Sequence, residues 1–197
     1  MKITKISEQV KDSNRVNVYL DGKYGFSLTL NQLLELRLKV GGEVDAKHLT
    51  KFKAFSKEGK LKMLALEWLI IRPRAIQEFA DYLKRKGLKP AVIEKWVKEF
   101  TAKNYLGDTA FSRWWLEQRL AQQKSLRFIR FELRRKGVKS TIIDNVLADS
   151  QVAERVALRA LVLKKRRLSK YQDNKKLIEY LLRQGYNYSS IKDVLAE

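Results

Sequence analysis

Three segments of the chain align without a gap on a glycine: YLKRKGLKPAVIEKWV (82–97), ELRRKGVKSTIIDNVL (132–147) and YLLRQGYNYSSIKDVL (180–195), at offsets of 50 and 48 residues. In each, apolar residues stand eight and four positions before the glycine and one, six and ten after it. Around Gly87 these are Phe79, Leu83, Leu88, Ile93 and Val97; around Gly137, Ile129, Leu133, Val138, Ile143 and Leu147; around Gly185, Leu177, Leu181, Tyr186, Ile191 and Leu195. Steps of four on either side are the spacing of one helical face, and glycine supplies the positive φ that ends a helix. The pattern predicts helix, joint and helix, three times over. Cations in the last turn before the joint, Lys84 to Lys86 and Arg134 to Lys136, complement the negative end of the helix dipole. Pro90 suits a first-turn position, and Ser140 and Asn187 are candidate N-caps for the helices that restart.

A unit of this length cannot bury its apolar face alone, so the modules are expected to stack. A third helix per module is expected from LKMLALEWLII (61–71), TAFSRWWLEQRLAQ (109–122) and VAERVALRALVLKK (152–165). The fold class expected is therefore mainly α: tandem three-helix repeats forming an elongated curved array, divided as 61–108, 109–150 and 151–197. A small N-terminal α+β unit over 1–56 precedes them. There, RVNVYLDGKYGFSL (15–28) alternates around Asp21-Gly22, the dipeptide of two-residue hairpin turns, and MKITKISEQV adds a third strand. TLNQLLELRL (29–38) reads as a helix with Thr29 and Gln32 spaced as a capping box. Gly41-Gly42 is expected to end this unit, a further helix to start after Asp45, and the polar stretch 56–60 (SKEGK) to form the seam before the repeats.

The charge belongs to the repeats. Forty-two basic against twenty-two acidic residues give +20, and residues 1–50 account for only +2 of it, from eight basic and six acidic side chains. Such an imbalance repels itself unless a polyanion neutralises it, which favours binding over mere solubility. The densest runs are KSLRFIRFELRRKGVK (124–139) and KKRRLSKYQDNKK (164–176), each with seven cations and one carboxylate. Arg127, Arg130 and Arg134 share a helical face, while Ile129 and Leu133 define the buried side; Glu132 and Lys136, four apart, are spaced to pair. Candidate contacts are thus Arg127, Arg130, Arg134 and Arg135, with Lys164, Lys165, Arg166 and Arg167. Arg113 and Arg119 join them because they flank Trp114-Trp115, whose rings could stack on bases. Trp68, Trp96 and one of Trp114 or Trp115 are expected in the core, which leaves the other of the pair as a contact.

Catalytic chemistry finds few candidates. His48 is the only histidine, there is no cysteine, and no glycine loop precedes a Lys-Ser/Thr pair. Carboxylate pairs such as Glu94 and Glu99 do not share a helical face. No catalytic residue, metal or cofactor is expected. The absence of cysteine fits a reducing compartment. No window approaches the ~20 apolar residues of a membrane span and the N-terminus lacks an apolar signal core, so a soluble cytoplasmic protein is expected.

Four stretches in order, EFADYLKRKGL (78–88), NYLGDTAF (104–111), RFIRFELRRKGV (127–138) and LIEYLLRQGYNYSSIKDVL (177–195), resemble the RecX regulators of the RecA recombinase. The resemblance covers nearly all of 64–195. Glu78, Leu83, Lys86 and Gly87 match the first repeat, with Phe79 in place of the usual leucine. Tyr105, Leu106, Asp108, Phe111, Arg130, Glu132, Leu133, Lys136 and Gly137 match the second, and Arg183, Gly185, Tyr186 and Ile191 the third. Gly107, Ala75 and Gln184 depart from it where aspartate, serine and a basic residue are common. The leading hairpin looks like the N-terminal extension of some members. The resemblance implies a protein that binds along the groove of the RecA filament on DNA and suppresses its ATPase, strand exchange and co-protease activities; a monomer without cofactor, with the RecA filament and single- and double-stranded DNA as partners, is expected. Two readings stand beside it: a DNA-binding protein acting through its basic repeats without RecA, and a helical scaffold for another acidic protein. Salt dependence separates them, since binding to duplex phosphates falls with a log–log slope of about −0.9 per phosphate neutralised.

Overall fold

The computed structural model describes residues 1–10 and 12–196, which fall into two compact units, Met1 to Trp68 and Leu69 onward. In the first unit β1 (Ile3–Gln9), β2 (Asp12–Leu20) and β3 (Lys23–Thr29) form an antiparallel sheet in that order. Asp21 and Gly22 both have positive φ, 46° and 79°, as a tight turn between Leu20 and Lys23 requires. Alternation sends Ile3, Val16, Val18, Leu20, Phe26 and Leu28 to one face, where Leu33, Leu36, Leu49, Phe52 and Phe55 cover them. Helix α1 (Leu30–Glu35) starts with the expected reciprocal cap between Thr29 and Gln32.

Two boundary readings need correction. Gly41-Gly42 does not end the unit: Ile3 N–H donates to the Gly42 carbonyl (2.8 Å), and Val44 is buried in the same core. Nor does the polar stretch 56–60 form a seam, because α2 (Ala46–Ile71) runs through it unbroken. The glycine there answers to packing rather than to a turn. A Cβ on Gly59 would lie 2.4 Å from the side-chain amide of Gln32, which donates to the Phe55 carbonyl (2.7 Å).

In the second unit α3 (Ile76–Arg85) and α4 (Pro90–Ala102) are followed by α5 (Asp108–Ala121), α6 (Leu126–Arg135) and α7 (Ser140–Leu147). Next come α8 (Gln151–Arg166), a single 3-10 turn at Ser169–Tyr171, α9 (Asn174–Arg183) and α10 (Tyr188–Ala196). Helices α5 to α7 and α8 to α10 form two successive three-helix groups, while the helix expected over 61–71 for the first group is the end of α2, which starts at Ala46. Gly87, Gly137 and Gly185 adopt φ of +81°, +80° and +89°, and the residue after each donates to the carbonyl five back: Leu88 to Leu83, Val138 to Leu133, Tyr186 to Leu181. That double turn closes each helix with a left-handed cap. Pro90 opens α4 as expected, whereas Ser140 is the first residue of α7 and Lys139 holds its cap position. Asn187 immediately precedes α10, and its carbonyl accepts from Ile191 N–H.

The predicted apolar ladder is fully buried in the second repeat. In the first, α4 is rotated so that Trp96 and Phe100 occupy the interior and Ile93 and Val97 are half-buried; Phe79 and Phe100 meet edge to face at 5.4 Å. In the third, Val194 goes inside and Leu195 is half-buried.

Successive repeats are coupled by one recurring device. The first amide of α3, Ile76 N–H, donates to Asp108, the first residue of α5 (2.9 Å), and the first amide of α6, Leu126 N–H, donates to Glu154 on α8 (2.6 Å). Each carboxylate thereby satisfies a donor that a helix leaves orphaned at its start. Burial raises the pKa of Glu154, against the lowering effect of the Leu126 amide. Gly137 rests on Gln77 and Gly185 on Ser125, so tightly that a Cβ would come within 2.8 Å of Gln77 Cβ or 2.7 Å of Ser125 Oγ. At Gly87 the same atom would meet nothing. Ser125 Oγ also donates to the Gln184 carbonyl (2.8 Å) and accepts from Phe128 N–H (3.2 Å), while the Tyr186 hydroxyl donates to the Gln123 carbonyl (2.9 Å).

Candidate nucleic-acid interface

Helix α6 buries Ile129 and Leu133 and turns its other face outward. Arg127 and Arg134 are exposed on it, as the spacing predicts, and so is the candidate Arg135. Arg130 is not free with them: its guanidinium is bonded to Asp144 on α7. Glu132 and Lys136 do not pair as expected. Glu132 Oε2 accepts from Trp115 Nε1 and from Arg119 Nε, both at 2.8 Å, and Lys136 Nζ sits 4.4 Å from the Trp115 ring centroid. Arg119 stacks on the same ring at 4.2 Å. It is therefore part of a clasp between α5 and α6.

That clasp overturns the reading of the tryptophan pair. Neither Trp114 nor Trp115 is fully buried and neither is left over as a contact; both are half-buried against the second repeat's core. Helix α5 packs on both α6 and α7, so two neighbouring side chains about 100° apart each find a surface. Arg72 lies 5.1 Å over Trp114, in line with the preference of guanidinium for aromatic faces. Trp68 is half-buried and Trp96 is in the core.

Of the other candidates, Arg113 is exposed on α5. The four consecutive cations at the end of α8 divide by direction. Lys164 and Arg167 are exposed, while Lys165 lies 4.6 Å from the Tyr180 ring and Arg166 bonds the Gln172 carbonyl (2.8 Å) and Asn174 Oδ1. The structure thus gathers Arg127, Arg134 and Arg135 on one helix face and leaves Arg113, Lys164 and Arg167 on other elements. Sequence reading passed over two residues of the α6 face, Phe128 and Phe131, which are 37% and 56% exposed. Comparing the three glycine-aligned segments for positions that are apolar in one copy only would have found them.

A groove of ≈ 690 Å³ beside Pro73, Tyr105 and Asp108 is the site where a small ligand would be sought. Arg72, Arg74 and Asp108 of its lining are engaged within the fold. Arg72 and Arg74 lie 2.6 and 3.1 Å from Glu78; burial pushes the Glu78 carboxyl up, but the two guanidiniums together hold it below the usual range. Among the described residues no cluster of three His, Asp or Glu side chains could hold a metal ion, and no helix is long and apolar enough to cross a membrane.

Fold and surface together define a class: a tandem three-helix-repeat protein, strongly basic, whose repeats follow a small antiparallel sheet in the sequence. Residues 1–45 match the model of the regulatory protein RecX N-terminal domain, and residues 108–147 that of the second three-helix domain of RecX. The regulatory protein RecX of Bacillus licheniformis is 31% identical over 99% of this chain and 76% of its own length; that of Clostridium acetobutylicum is 29% identical over 99% and 95%. A crystal structure of a regulatory protein RecX superposes with a TM-score of 0.75 at 25% identity, covering 100% of this chain and 99% of the other. RecX from Lactobacillus salivarius shares the fold over 70% of this chain, with a TM-score of 0.60 at 18% identity. The chain belongs to the RecX family of regulatory proteins.

Proposed function

We propose that this protein is a negative regulator of the RecA recombinase, binding the RecA–DNA filament and suppressing its ATPase, strand exchange and co-protease activities without turnover of its own. The observation that carries the reading is the end-to-end match to regulators of this family. Its physical support lies in the repeats, which carry the bulk of the +20 charge and expose arginines on α6. Stacked repeats offer an extended contact to a helical polymer, and cations complement the phosphates within it. The working division into repeats is 61–108, 109–150 and 151–197, and the regulator acts as a cytoplasmic monomer with no cofactor. RecA ATPase on single-stranded DNA, titrated with this protein, should fall to a plateau near stoichiometry. Unchanged ATPase and strand exchange at an excess would overturn the reading.

The charge also favours a second reading, direct DNA binding through the repeats without RecA. Gel-shift titrations at several salt concentrations, with and without RecA, separate the two. Steep salt dependence with equal affinity in both cases selects the second.

A further inference from the structure

Along α6 and its entry, cations flank two rings at helical spacing: half-buried Lys124 and exposed Arg127 before exposed Phe128 and Phe131, and exposed Arg134 and Arg135 after them. Lys124 Nζ lies 5.0 Å from the Phe128 ring centroid and the Arg135 guanidinium 5.7 Å from that of Phe131. The only carboxylate between 124 and 139 is Glu132, which is turned toward Trp115 and Arg119. From 127 to 135 the helix rises roughly 12 Å, the length of a few stacked nucleotides.

The fold does not require phenylalanine at these places. Aligned on the glycine, the positions of Phe128 and Phe131 are held by Glu78 and Asp81 in the first repeat and by Lys176 and Glu179 in the third. Those repeats close the same helix with the same cap, so two exposed rings are a property of the second repeat alone. We infer that this face is a binding platform for single-stranded nucleic acid, in which bases stack on Phe128 and Phe131 while Lys124, Arg127, Arg134 and Arg135 neutralise the flanking phosphates. Stacking of this kind tolerates any base, since every base has a π-face. The cations now lying over the rings do not close them. Exposed cation–π contacts are weak, and these side chains are free to turn toward phosphate as a base takes their place. Trp115 differs, being held by Arg119, Lys136 and a hydrogen bond to Glu132. A second copy of the chain is a poor occupant, because it would set this row of cations against its own. A duplex is also disfavoured, since its base faces are already stacked.

The inference needs no RecA, so its test is made without it and cannot fail for the reason the filament reading would. Fluorescence anisotropy of the full chain is measured with labelled oligo-dT, an abasic strand of equal length and a blunt duplex. The parent should prefer oligo-dT to the abasic strand. Phe128→Leu with Phe131→Leu should weaken oligo-dT binding by about 5- to 100-fold while leaving abasic binding and the salt slope unchanged. Phe131→Leu alone, at the more exposed ring, should give part of that loss with unaltered thermal melting, which guards against a folding defect at Phe128. The inference is overturned if parent and double variant bind oligo-dT alike, or if the parent does not distinguish oligo-dT from the abasic strand or duplex. It is equally overturned if the double variant loses action on the RecA filament but keeps oligo-dT affinity, since the rings would then face protein.

Discussion

At the first joint between repeats Asp108 reaches the Ile76 amide and Gly137 lies on Gln77; at the second Glu154 reaches Leu126 and Gly185 lies on Ser125 and Arg127. The backbone plan is shared and the side chains are not. Glycine is invariant between the joints because two demands meet on it, a left-handed φ and a neighbour within 3 Å of where a Cβ would be. The acceptor varies because any carboxylate of adequate reach satisfies one orphan amide. The cap varies most: Ser125 makes two hydrogen bonds at the second joint, while Ala75, buried at the aligned position of the first, makes no side-chain cap. What the joints share marks what the backbone compels; where they differ, several side chains meet the same need.

The largest effect expected from breaking this comparison is at Gly137. Gly137→Ala combines a left-handed alanine, about 1–2 kcal/mol, with overpacking against Gln77 Cβ, about 1–3 kcal/mol. Gly87→Ala carries only the first, because nothing lies near it. Urea unfolding of the full chain should rank them in that order, and equal losses would show that the contact with Gln77 is yielding. Next is Ser125→Ala, expected to cost about 1–2 kcal/mol for the lost bonds to Phe128 N–H and the Gln184 carbonyl. The converse transplant sharpens the contrast. Ala75→Ser places a hydroxyl where the aligned Glu78 N–H and Lys136 carbonyl stand in for those partners, and a gain of about 0.5–1 kcal/mol is expected by the same measurement. A loss would mean that the first joint has closed around the methyl group.

The smallest effect concerns Glu154. Its folded pKa is raised, so the folded state binds more protons than the unfolded state in the window that opens near 4.5, the ordinary value for a glutamate, and closes at the raised value. Stability therefore falls as pH rises through that window. Glu154→Gln keeps an oxygen for the Leu126 amide and cannot ionise. Its urea midpoint should equal or slightly exceed the parent's at pH 7 and lose that advantage below pH 4.5. A variant that parallels the parent at both pH values would show the carboxylate to be solvated.

The helices, caps and most core positions were legible because their causes are local: a glycine, a spacing of four, a proline at a first turn. What was hidden depends on residues distant in sequence. Gly59 reads as a breaker until Gln32, 27 positions earlier, is seen to occupy the space above it. Arg119 and Arg130 read as free cations until Glu132 and Asp144 are brought to them from other helices. The exposed arginines at 127, 134 and 135 were legible, since an outward face follows from the buried one. The rings between them were missed because apolar residues on a helix are first assigned to its core.

The joints also run in one direction along the chain. In each, the start of an upstream helix is completed by residues made later: Ile76 by Asp108, Ser125 by Gln184, the Gln123 carbonyl by Tyr186. At a synthesis rate of about 5–20 residues per second, Ile76 waits roughly 2–6 seconds for Asp108 to be added, and longer for it to clear the ribosome. A nascent chain halted before Asp108 would carry α3 with its first amide uncapped. On the ribosome the upstream partner of each of these bonds is made first and stays solvated until the downstream one emerges.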